Sequence, residues 1–129
     1  MKNIIYYAHH IWKYNTEEER KEINIINNKF NNSLIINPNG WIAQENDEKS
    51  IMNQCFKFVE LSDIIIFTSM NGIIGKGVYY EIKHALDNNK KLYYLNNGIF
   101  NTFTYDNFNN IEIIYSITNN NKEFAIINE

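Results

Sequence analysis

The residues best able to do chemistry lie between Ser62 and Leu95. The chain there reads S-D-I-I-I-F-T-S, M-N-G-I-I-G-K-G, V-Y-Y-E-I-K-H-A-L-D-N-N and K-K-L-Y-Y-L. That order implies a buried strand, a glycine-rich turn, an amphipathic helix and a second buried strand. The helix carries a carboxylate, Glu81, four residues after Gly77. Val78, Ile82, Ala85 and Leu86 set the face that packs on the sheet, which puts Glu81 at the edge of that face. The helix N-terminus would favour the ionised form by about 0.3–1 kcal/mol. An ionised carboxylate in a crevice is suited to attack an electrophilic sugar carbon or to stabilise an oxocarbenium ion. The plainer alternative is a solvated Glu near a helix start, paired with His84 three residues on.

Two loops stand beside this carboxylate in the reading. Gly72-Ile73-Ile74-Gly75-Lys76-Gly77 lets backbone N–H groups approach an anion at a helix start, and Lys76 adds charge. The pattern is neither a Walker loop nor a dinucleotide fingerprint, and a plain tight turn explains it equally well. Ser69 and Asn71, past the end of the preceding strand, could bind a ligand hydroxyl. The other loop, His9 to Asn15, holds His9, His10 and two aromatics, Trp12 and Tyr14, around Lys13, with Tyr7 at the strand end before it. Such groups stack on a base or hydrogen-bond a sugar; the alternative is a packed aromatic loop with one solvent-facing His. Adjacent histidines diverge in extended chain, and no Cys or carboxylate cluster is nearby, so a shared metal is not expected. Cys55 reads as core, and Asp63 as a cap on the preceding turn.

The elements that must position these groups follow from patterning. Ile4-Ile5-Tyr6-Tyr7-Ala8 is a strand covered on both faces, within Asn3 to Ala8. Thr16 with Glu19 makes a capping box for a helix to about Phe30. Ser33 to Asn37 is a short strand closed by Asn37-Pro38-Asn39-Gly40. Trp41 to Asp47 reads as irregular, Glu48 to Leu61 as a helix, Asp63 to Thr68 as a strand, Met70 to Lys76 as a loop, and Gly77 to about Asn89 as a helix. Lys91 to Leu95 is a fourth strand, Gly98 to Asn110 a loop, and Ile111 to Tyr115 a fifth strand. Alternating strands and helices predict an α/β chain: a flavodoxin-like three-layer sandwich with a five-stranded, mostly parallel sheet. Ligands in such folds sit beyond the carboxyl ends of the strands.

The bulk numbers exclude several classes. At 129 residues the chain is read as one domain, 1–129, and 44% hydrophobic content supports a core without staples. A single cysteine rules out an internal disulfide framework and fits a reducing compartment. The net charge of -3 argues against non-specific nucleic-acid binding. The run after Met1-Lys2-Asn3 is too short for a secretory signal, and Ile64 to Phe67 is too short to cross a bilayer. A cytoplasmic protein with no membrane partner is expected. The abundance of Asn, Ile, Lys, Tyr and Phe fits A/T-rich codons, so Asn clusters mark loops and helix ends.

A first strand ending Tyr-Ala, a middle S-D-I-I-I-F strand, and G-x-x-x-E-x-x-x-A before N-K-K-L-Y-Y together resemble the nucleoside 2-deoxyribosyltransferase-like family. That family includes transferases and related nucleotide N-glycoside hydrolases. The resemblance implies that Glu81 is the nucleophile at the anomeric carbon. It matches the middle-strand Asp to Asp63, and a first-strand Tyr to Tyr6 or Tyr7, with Tyr7 and Asp63 orienting the nucleophile or the sugar. His9 or His10 would protonate the leaving base or bind phosphate. Two departures stand out. The family's Asp two residues before the matched glycine is Gly75 here, and its small residues after the first strand are His9-His10. The resemblance further implies a nucleoside or nucleotide ligand, no cofactor and no metal, and a homodimer or higher homo-oligomer. A protein that binds such a ligand in the same pocket without cleaving it is the alternative; an interaction domain with a vestigial crevice is the third reading.

Overall fold

The computed structural model describes residues 3–43, 47–115 and 123–126, with the backbone course alone over 113–115 and 123–126. The elements run β1 (Ile4–Ala8), a 3-10 turn (Ile11–Lys13), α1 (Glu17–Lys29), β2 (Leu34–Ile36), the kinked turn α2 (Pro38–Trp41) and α3 (Glu48–Leu61). They continue with β3 (Ile64–Phe67), β4 (Ile73–Gly75), α4 (Lys76–Asp87), β5 (Lys91–Asn96), β6 (Ile99–Thr102), α5 (Tyr105–Asn109), β7 (Glu112–Tyr115) and β8 (Glu123–Ile126).

The main sheet has the order β2-β1-β3-β5-β6. β1 pairs in parallel with β2 and β3, β3 in parallel with β5, and β6 folds back antiparallel on β5. The expected α/β sandwich with a five-stranded, mostly parallel sheet is therefore present. Adjacent residues of a strand face opposite ways. Tyr6 and Ala8 of β1, with Ile65 and Phe67 of β3, meet Cys55 and Val59 of α3 and Val78, Ile82 and Ala85 of α4. Ile5 and Tyr7, with Ile64 and Ile66, meet Ile26 of α1 on the other face. Both faces are apolar because both are covered.

Two strands lie where the sequence reading placed loops. β4 follows Asn71-Gly72 and β6 follows Asn97-Gly98. All four turn residues have positive φ (53° and 84°, then 51° and 77°), the geometry of two-residue hairpin turns. Met70 and Ile73 exchange both backbone hydrogen bonds across the first turn, at 2.8 and 3.0 Å. The expected fifth strand, Ile111 to Tyr115, is also corrected. As β7 it leaves the main sheet and pairs with β8, which pairs with β4 in a second, antiparallel sheet, β4-β8-β7. β6 takes the fifth place instead, because a hairpin needs only two residues to bring it alongside β5. The centre of the Trp41 to Asp47 stretch lies outside the described residues.

Candidate functional site

Three elements converge on Glu81. α4 turns Val78, Ile82 and Ala85 into the core and carries Glu81 with them, so the side chain is 5% exposed. From β1 the Tyr6 hydroxyl donates to Glu81 Oε2. From α3 the buried Cys55 thiol lies against both. Burial pushes the Glu81 carboxyl from the ordinary 4.5 up to about 7, against the Tyr6 and Cys55 hydrogen bonds that favour its anion. The helix-dipole expectation is corrected here: Glu81 lies beyond the first turn, where the dipole fades and desolvation decides. His84 does not pair with Glu81; its Nε2 is 2.8 Å from Glu60 Oε2.

The two donors stay neutral at physiological pH. Burial, then the Glu81 charge, raises Tyr6 well above the ordinary phenol value. The same causes push Cys55 up to about 12. A carboxyl near half-ionisation at neutral pH, held by a neutral phenol in a dry setting, can act as a nucleophile or move a proton.

The loop after β1 covers the glycine turn before α4. Gly75 has an ordinary φ of -83° and serves as the N-cap of α4 without a side-chain cap. Its value lies in close approach. A Cβ there would stand 2.5 Å from His10 Cδ2 and 3.0 Å from Nε2. The His10 ring thus fills space that a side chain at position 75 would need. His10 Nδ1 accepts from the Trp12 backbone N–H at 3.0 Å, which fixes the neutral tautomer with its proton on Nε2. Tyr14 is half-buried, with its ring 4.9 Å from that of His9. Burial, then the nearby charges of Glu81 and Cys55, raises its hydroxyl above the ordinary value. Gly77 faces Met52, whose Sδ would be 3.7 Å from an added Cβ. Lys76 is exposed and 3.7 Å from Glu48 Oε1.

Other residues singled out in the sequence stand elsewhere. Tyr7 faces α1, where its hydroxyl donates to Glu22 Oε1; strand alternation gives the Glu81 contact to Tyr6 instead. His9 is 4% exposed on Tyr7's side, its ring stacked 3.8 Å from Tyr7 and its Nε2 2.7 Å from Glu19 Oε2. Burial lowers His9 despite that carboxylate, whereas Glu19, though burial opposes it, is held below its ordinary value by His9 and Asn15. Glu19 serves Asn15 and His9 rather than closing a capping box on Thr16, whose Oγ1 caps α1 by accepting from Glu19 N–H. Asp63 lies at the N-terminal edge of the sheet, accepting from Ile4 N–H at 2.8 Å, so it closes the strand pair far from the loops. Ser69 Oγ accepts from Gly72 N–H at 3.0 Å and bonds the Tyr94 hydroxyl at 2.6 Å, which braces the hairpin turn. Asn71 is exposed within that turn.

Tyr6 and Glu81 are therefore brought together, with Cys55 against both and Tyr14 nearby, while His10 is brought over Gly75 at the start of the same helix. In the sequence Cys55 reads only as packing and Tyr14 only as one of the loop aromatics. Among the described residues no group of three or more His, Cys, Asp or Glu is placed to hold a metal ion, and no helix is long and apolar enough to cross a membrane. Comparison with protein-family models finds no match to this chain, and comparison with curated proteins finds none either.

Proposed function

We propose that the protein cleaves or transfers the N-glycosidic bond of a nucleoside, nucleotide or related ribosyl compound, with Glu81 as the reacting carboxylate. The observation that carries this reading is the Tyr6–Glu81 pair: a carboxyl raised to about 7 by burial and held by a neutral phenol, on the helix that follows the glycine turn. In the first step a Glu81 oxygen bonds to the anomeric carbon. The C–N bond breaks, and its electron pair leaves with the base, which takes up a proton. That proton comes from solvent, while the His10 Nε2–H over Gly75 serves as a hydrogen-bond donor to the departing base or to a phosphate. In the second step water, or a second base, attacks the same carbon and frees Glu81. Tyr6 holds the carboxylate in position, the role first given to Tyr7. No cofactor enters these steps. A homodimer or larger assembly in the cytoplasm belongs to the same reading and is measured by light scattering.

The test is incubation with a panel of nucleosides and nucleotides, with free base followed by chromatography. Release by the wild type and its loss in Glu81→Gln is the expected result; release that survives the substitution overturns the mechanism. The His10 ring over Gly75 favours a second reading, in which the site binds a nucleotide-derived ligand without cleaving it. Ligand recovered intact alongside a thermal shift selects that reading.

A further inference from the structure

Lys13 sits in a surface loop and is nevertheless 3% exposed. Burying an ammonium costs several kcal/mol unless its three N–H donors all find acceptors. Here they do: Glu22 Oε2 at 2.8 Å, Thr68 Oγ1 at 3.0 Å and the Ser69 carbonyl oxygen at 2.7 Å. Glu18 Oε1, on the exposed side of α1, is a further 3.4 Å contact. Glu22 is satisfied in turn, since Tyr7 and Thr68 both donate to its Oε1. At the same loop's ends, His9 meets Glu19, and Asn15 N–H donates to Glu19 Oε1 at 3.0 Å. A loop that needed only cover could be held by apolar side chains at lower cost. Three directed bonds to α1 and to the end of β3 fix it in one place.

The opposite side of the loop faces α4. His10 rests over Gly75, and Tyr14, next in sequence to Lys13, stands near Glu81 and Cys55. We propose that Lys13 is a positioning residue for the Glu81 site: its ammonium ties the β1–α1 loop to the end of β3 and so holds Tyr14 and His10 against α4, keeping water from the Glu81 carboxylate. This rests on the reading of Glu81 as the functional group. Tyr6 from β1 and Cys55 from α3 hydrogen-bond Glu81, and Tyr14 from the loop lies within reach of its charge. The first two belong to the core, so loosening the loop reaches Glu81 through Tyr14.

The test uses the double variant Lys13→Met/Glu22→Gln, which removes the tether without leaving a lone buried charge. Two readouts are taken: amide exchange of the loop, and the Glu81 carboxyl titration by 13C NMR. The amides of Lys13, Tyr14 and Thr16, bonded to His10, Ile11 and Lys13 carbonyls, should lose protection by about tenfold or more. The Glu81 titration should fall from about 7 towards the ordinary 4.5. Lys13→Arg keeps the charge but cannot place three donors on the same acceptors; it should move both readouts the same way, by less, and decides the matter if the double variant does not fold. Unchanged loop protection overturns the tether. An opened loop with an unmoved Glu81 titration overturns the positioning role and leaves Lys13 structural. Neither readout needs turnover, so a wild type that releases no base refutes the glycosidase reading alone.

Discussion

Replacing Glu81 with Gln should make the protein more stable at pH 8 and leave it nearly unchanged at pH 5. The folded carboxyl titrates at about 7, against an ordinary 4.5. Between those values the folded chain holds a proton that the unfolded chain has released. The stability this group contributes is therefore full below pH 4.5 and is lost as pH rises through 7. At about 1.36 kcal/mol per pKa unit, the displacement comes to about 3 kcal/mol by pH 8. Gln keeps the shape and offers Oε1 to the Tyr6 hydroxyl, but it carries no charge to desolvate. Urea unfolding at the two pH values, followed by circular dichroism, measures the difference. The expected gain is about 2–3 kcal/mol at pH 8 and under about 1 kcal/mol at pH 5. An equal effect at both pH values would show that water reaches the carboxylate in the folded state, and the dry-site argument would fail. If the proposed glycosidase reading holds, the same substitution abolishes base release, and the position would then trade stability for reactivity.

Tyr6→Phe removes the donor to the Glu81 anion, an interaction of about 1.5–3 kcal/mol for a charged acceptor. It should shift the Glu81 titration, and the acid limb of any base-release profile, to higher pH; an unmoved 13C titration would deny the contact. Gly75→Ala forces a Cβ to within 2.5 Å of His10 Cδ2. It should cost about 1–3 kcal/mol in urea unfolding and displace the His10 ring signals by NMR, and unchanged His10 signals would refute the close packing.

The parallel core of the fold was legible because its signals are redundant. Ile4 to Ala8, Ile64 to Phe67 and Leu92 to Leu95 are continuous apolar runs separated by amphipathic helices, and only a covered parallel sheet uses both. Asp47 caps α3 as a side-chain acceptor for Ser50 N–H at 2.8 Å, at the boundary its helical pattern implied. The two hairpins were hidden for a compositional reason. Asn-Gly between apolar residues is the strongest short hairpin signal. In a chain where Asn recurs throughout, Asn71-Gly72 and Asn97-Gly98 look like ordinary loop filler. Once both turns are recognised, β4 and β6 follow, and β7 loses its place in the main sheet.

The site was legible only in part, because the strands that carry it have no amphipathic parity. An alternating strand announces which residue faces which layer; Ile4-Ile5-Tyr6-Tyr7-Ala8 does not, since both faces are covered. Tyr6 and Tyr7 were therefore equivalent in sequence, yet one meets Glu81 and the other Glu22. A second carrier of parity was available in helix α1, where Glu19 and Glu22 stand three apart on one face. A helix that packs two carboxylates towards a sheet must find donors there, and Tyr7, His9 and Lys13 are those donors. Assigning Tyr7 to α1 leaves Tyr6 for α4 by alternation alone. The polar network that fixes the loop thus also settles which tyrosine belongs to Glu81, and the two halves of the site share a single constraint, the register of β1 between two helical layers.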